Sequence, residues 1–234
     1  MKSLSVSAMP AAGSFRGHLF ERQVLKHFSN IGARDFPIRG LTPRSDQTTW
    51  IYRGRIDHTI FRKSTVIDAI MKAVENKQPL HLVPSVPNFP AVNSILYDPN
   101  DPDAVLTCIQ ITINVDHDIV VSGLQDIQSW LKRGTSLSDL RPTRSRRWRF
   151  LFVVPSDMAS TFKVQSLYGD TGKGEWAKKV DQYVLGLEER NIFEKIRFEC
   201  TEYSYPATGG ATGTGVEYLS LSTADEFGML CRFR

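Results

Sequence analysis

Gln110, Thr112 and Asn114 recur at every second position of residues 107–115, and Ile109, Ile111 and Ile113 fill the places between them. In an extended chain this alternation sends the amide and hydroxyl groups to one side and the isoleucines to the other. A strand apolar enough to enter a core carries a polar row only where those groups are satisfied, by one another or by a ligand, so the row raises the question of a site. Residues 89–97 read as the preceding antiparallel strand, and the Asp- and Pro-rich residues 98–103 supply the turn, which puts Asn93 and Gln110 on paired neighbours. The turn acids Asp98, Asp101 and Asp103 read as a solvated loop tip.

Two other segments carry chemistry. Residues 141–149 hold five arginines around Trp148. Arginine pairs bidentately with phosphate and stacks on bases, so Arg144, Arg146, Arg147 and Arg149, with Lys26 widening the positive surface, read as a grip on a nucleic-acid backbone. The alternative is a charged guard before an aggregation-prone strand. His117, between Asp116 and Asp118 just past the polar strand, reads from its neighbours as a helix-start residue with Asp116 capping.

The stretch Phe-Pro-Ala-Val-Asn-Ser at residues 89–94, followed by Gln-Ile-Thr at 110–112 and by His117, resembles the PD-(D/E)XK restriction-endonuclease-like superfamily. Within it, the wording is similar to the nuclease-like C-terminal domains of Crinkler and retrotransposon-hot-spot effector proteins. The resemblance covers roughly residues 13–187. It implies a restriction-endonuclease-like α/β fold with a mixed central sheet flanked by helices. It also implies a site in which Glu21, Asn93, Gln110, Thr112 and His117 are catalytic, with Glu21, Asn93 and Gln110 around Mg²⁺. The implied setting is a host nucleus, with DNA, or alternatively a host protein, as partner.

Two departures matter. Asn93 stands where the family has a metal-binding aspartate, and Thr112 where the superfamily has its lysine. An amide brings no charge to a hard cation, so Mg²⁺ affinity should fall. The expectation is thus a metal-dependent DNA endonuclease with a degenerate site, or an inactive pseudo-nuclease that binds DNA or a host protein.

The elements needed to position these residues are legible to different degrees. A helix over residues 14–28, opened by Ser14, carries Phe20, Val24, Leu25 and Phe28 on one face and leaves Glu21 at its margin. Residues 48–52 suggest a strand, residues 64–74 an amphipathic helix stopped before Pro79, and residues 80–83 a short strand. Residues 117–133 suit a helix closed by Gly134, residues 147–154 a strand covered on both faces, and Trp176, Val180, Tyr183, Val184 and Leu187 a further helix. Residues 168–174 lack the spacing of a phosphate-binding loop. Residues 208–215 are rich in Gly and Thr, with terminal strands expected over 216–222 and 228–234.

A chain of 234 residues with 41% hydrophobic and 23% charged residues suits one domain over 14–234 after an N-terminal extension at 1–13. The net charge of +4 and a pI near 9.0 are compatible with a polyanionic partner. Cys108, Cys200 and Cys231 have neither disulfide nor zinc spacing, which points to a reducing, intracellular setting. No run is long enough to span a bilayer.

Overall fold

The computed structural model describes residues 10–53, 56–57, 63–83, 91–104, 106–132, 135–169 and 172–188, all within a compact unit that ends at Ile192. The expected strands at 216–222 and 228–234, the glycine-rich 208–215, and Cys200 and Cys231 lie outside the described residues. So do Phe89 and Pro90 of the expected strand over 89–97.

An eight-stranded mixed sheet organises the unit. Its strands are β1 (Arg34–Gly40), β2 (Thr48–Tyr52), β3 (Ile56–Asp57), β4 (Leu80–Leu82), β5 (Ser94–Tyr97), β6 (Leu106–Ile111), β8 (Trp148–Pro155) and β10 (Val180–Leu187), in the order β2-β1-β10-β8-β6-β5-β4-β3. The neighbours β6, β8 and β10 run parallel, while β5 and β1 join them antiparallel on either side. Strands β7 (Ile119–Val120) and β9 (Leu167–Tyr168) form a separate parallel pair. The helices are α1 (Pro10–Asn30), α2 (Lys63–Asn76), α3 (Val121–Trp130) and two single turns, α4 (Ser156–Ala159) and α5 (Lys173–Trp176). The architecture is therefore α/β, a mixed sheet with helices on both faces.

Each face has its own core. Phe20, Val24 and Phe28 of α1 press onto Ile109, Ile111, Leu151, Val153 and Leu185, with Trp50 and Tyr52 at one end. Val66 and Ile70 of α2 and Leu124 and Ile127 of α3 cover Cys108, Phe150, Phe152, Val154 and Val184 on the other. All eight residues of β8 are buried, which explains its near-continuous apolar run. At β1, Gly40 lies so close to the Ser45 carbonyl that a methyl group has no room there.

Some sequence expectations need correction. Residues 180–187 form β10, because Val180, Gln182 and Val184 alternate with Tyr183, Leu185 and Leu187 between two packed faces. Helix α3 begins at Val121, after β7 has taken Ile119 and Val120. Helix α1 runs from Pro10 to Asn30 and so begins before the expected start at residue 14. Strand β1 escaped notice because it contains Pro37, which lies in the portion paired with β2 alone.

Candidate functional site

The strands β5 and β6 part company at Asn93. Its backbone N–H still donates to the Ile109 carbonyl at 2.8 Å, but its side chain lies between β6 and α1. Asn93 Oδ1 accepts from the Ile111 N–H at 2.6 Å, and Asn93 Nδ2 donates to Glu21 Oε1 at 2.7 Å. An amide is the side chain that meets both demands, since a backbone N–H needs an acceptor and a carboxylate needs a donor. Glu21 reaches this place because it sits one residue past Phe20 on α1, at the edge of the buried stripe. Its side chain stays 32% exposed, and its other oxygen is 4.0 Å from His18 Nδ1.

The remaining candidates do not join that pair. Gln110 is buried between Ile109 and Ile111, both packed against α1, so its side chain points to the opposite face, the one that holds Cys108. Thr112 extends the ladder by donating its N–H to the Val153 carbonyl, and its hydroxyl accepts from the Asn114 N–H at 3.0 Å. His117 is half-buried, and its backbone N–H is held by Gln165 Oε1 at 2.6 Å. Burial lowers its imidazole pKa below the ordinary value, against a weaker opposing pull from Asp118.

The donor set fits Mg²⁺ poorly. One carboxylate is present, its Oε1 already taken by the amide, and the Asn93 oxygen that could ligate a hard cation is taken by the Ile111 N–H. Gln110 is turned away. Among the described residues no group of three or more His, Cys, Asp or Glu could hold a metal ion.

The arginine segment is largely absorbed into the fold. Arg149 is 2% exposed and forms an ion pair with Asp101, with Asp103 a further 3.5 Å contact and Tyr183 presenting its ring. Its Nε has no partner among the described residues. It therefore cannot reach a phosphate, which corrects the reading of the segment as a uniform grip. The turn acids are corrected with it: Asp98 and Asp101 are buried, Asp98 is bound by Arg53 at 3.1 Å, and both carboxylates accept turn N–H groups. Arg147 is bound to Asp181 at 2.7 Å, and Arg141 closes α3 by donating to the carbonyls of Gln128 and Leu131. Arg144 and Arg146 remain open to solvent, as does Lys26 on the outer side of α1.

A second polar constellation was not evident from the sequence. Tyr52 Oη and His81 Nδ1 are 3.0 Å apart, and His81 Nε2 and Ser94 Oγ are 2.8 Å apart. The three come from β2, β4 and β5, so no spacing links them, and the one signal is a histidine between two leucines in a short strand. A hydroxyl beside an imidazole resembles a nucleophile and its base. All three are 0% exposed, however, and Phe28 stacks on Tyr52 at 4.8 Å, so the chain serves the core as a satisfied polar network.

Glu21 and Asn93 give this α/β protein a hydrogen-bonded carboxylate beside the end of its central strands. No family model, curated protein or solved structure matches the chain.

Proposed function

We propose that the domain is a nuclease-like fold in which a hydrogen bond has replaced the metal, and that it acts by binding nucleic acid without cutting it. One observation carries this reading: the Asn93 amide joins the Glu21 carboxylate to the Ile111 N–H and so meets the needs of both without a cation. Phosphodiester hydrolysis needs a group that offsets charge on the phosphate and activates water, and neither Asn93 nor Thr112 supplies one. The sequence resemblance supports DNA in a host nucleus as the setting. Among the described residues no helix is long and apolar enough to cross a membrane.

Exchanging Asn93 for Asp tests the reading. It would place two carboxylates in contact, an arrangement relieved by sharing a proton or a divalent cation. The natural chain should show no heat of Mn²⁺ or Mg²⁺ binding in calorimetry and no metal-dependent nicking of plasmid. Asn93→Asp should bind Mn²⁺ and gain thermal stability from it. Metal-dependent nicking by the natural chain that disappears in Glu21→Gln would establish an active endonuclease and end the proposal.

A further inference from the structure

Charge gathers at the other end of the parallel strands, on the two loops that feed β8 and β10. Arg144 Nη2 and Lys178 Nζ converge on a single oxygen, Glu175 Oε1, at 3.4 and 2.9 Å. Lys179 stands 5.6 Å from the Trp176 ring centroid, Lys173 stands 5.9 Å from that of Tyr168, and Arg146 is 3.8 Å from Asp139. With Arg147 neutralised by Asp181, the cations Arg144, Arg146, Lys173, Lys178 and Lys179 outnumber the carboxylates Glu175 and Asp139 that pair with them, an excess of three positive charges among these described residues.

The cluster is fixed in place but does little for the fold. Trp176 is buried against Trp148, their rings 5.6 Å apart, and this anchors the turn that carries Glu175, Lys178 and Lys179. Arg144, Lys178 and Glu175 are themselves about half exposed or more, so solvent screens their ion pairs and the fold gains little from them. Tyr168 beside them is 63% exposed. From Val153, which bonds Thr112 near the Glu21–Asn93 pair, back to Trp148 is about 17 Å along β8, so this surface is distinct from that pair.

We propose that this surface binds single-stranded nucleic acid, with Glu175 holding Arg144 and Lys178 together in the place of a phosphate and Tyr168 offering its ring to a base. Carboxylate and phosphate oxygens are interchangeable partners for a guanidinium and an ammonium, so a strand displaces Glu175 and takes over cations that are already convergent. Exposed cations flanking an exposed ring are the combination that tracks a phosphodiester backbone while stacking a base. An acidic polypeptide would use the same cations and leave the ring idle. The inference rests on the nucleic-acid reading above but not on the state of Asn93.

Fluorescence anisotropy of the full chain with a labelled oligothymidylate, with oligoglutamate as competitor, provides the test. With three charges in excess, log affinity should fall against log salt with a slope of about −2, and the double variant Arg144→Ala, Lys178→Ala should flatten it by about 1.4. Glu175→Gln should bind about two- to fivefold tighter, since it removes the internal competitor. Tyr168→Ala should bind about fivefold weaker or worse. Unchanged or weaker binding by Glu175→Gln, or no binding by the natural chain at low salt, would overturn the proposal. Displacement by oligoglutamate together with indifference to Tyr168→Ala would assign the surface to an acidic protein and overturn it equally. Binding of a labelled DNA duplex without binding of the oligothymidylate would overturn this surface and leave the reading above standing, so the two failures are told apart.

Discussion

Asp101, where the parallel strands begin, is closed in by Arg149, whereas Glu21, over their far end, meets the neutral amide of Asn93. Both carboxylates are held by a side chain from another element, yet the two solutions differ in what they leave available. The first pair is sealed from water, and its two charges compensate each other within the sheet. The second is a third open to solvent, and hydration does for Glu21 what a guanidinium does for Asp101. A buried ion pair fastens the β5–β6 turn to β8. A carboxylate bound by an amide and a third exposed keeps a face toward solvent.

The largest effect should come from breaking the sealed pair. Arg149→Leu abandons Asp101 in the interior, and urea denaturation should report a loss of about 3–5 kcal/mol, much of it recovered when Asp101→Asn is added. The open pair should be less sensitive. Asn93→Leu leaves the Ile111 N–H and Glu21 without their partner and should cost about 1–3 kcal/mol in the same measurement. If the two losses are equal, the distinction between a structural pair and an accessible one fails.

A third effect belongs to the sheet between them. Burial pushes the Cys108 thiol from 9.0 up to about 12, so the native state keeps a proton that the unfolded chain gives up. Its contribution to stability is complete below pH 9 and declines by about 1.4 kcal/mol per unit as pH rises toward 12. Urea midpoints across that alkaline range should show the decline, Cys108→Ala should remove its cysteine share, and native Cys108 should resist alkylating reagents at neutral pH.

What could be read from the chain follows from where each residue's partners lie. Strand β8 and helices α1 and α2 were legible because one stretch contains the whole pattern, either a buried run or a stripe of period near four. Strand β10 was not. A strand buried on both faces loses its alternation, and five of the apolar residues from Trp176 to Leu187 happen to fall at helical spacing. The polar row was read as part of one strand, but β6 ends at Ile111 and of the row carries Gln110 alone; which face that residue meets depends on α1, α2 and α3, and no local pattern assigns those. Glu21 and Asn93 are 72 residues apart in sequence, and it took a family resemblance to place them side by side. The arginine segment shows the converse problem. Its charges were plain to see, but the acids that absorb Arg147 and Arg149 come from β10 and from the β5–β6 turn.

One glutamine has a reach beyond its size. The Gln165 side chain donates to the Val115 and Lys163 carbonyls and accepts from the His117 N–H, while its own backbone exchanges two hydrogen bonds with the Gln182 amide. The crossing after β6 is thereby locked to β10. The His117 amide should exchange its hydrogen with solvent slowly, and Gln165→Ala should speed that exchange.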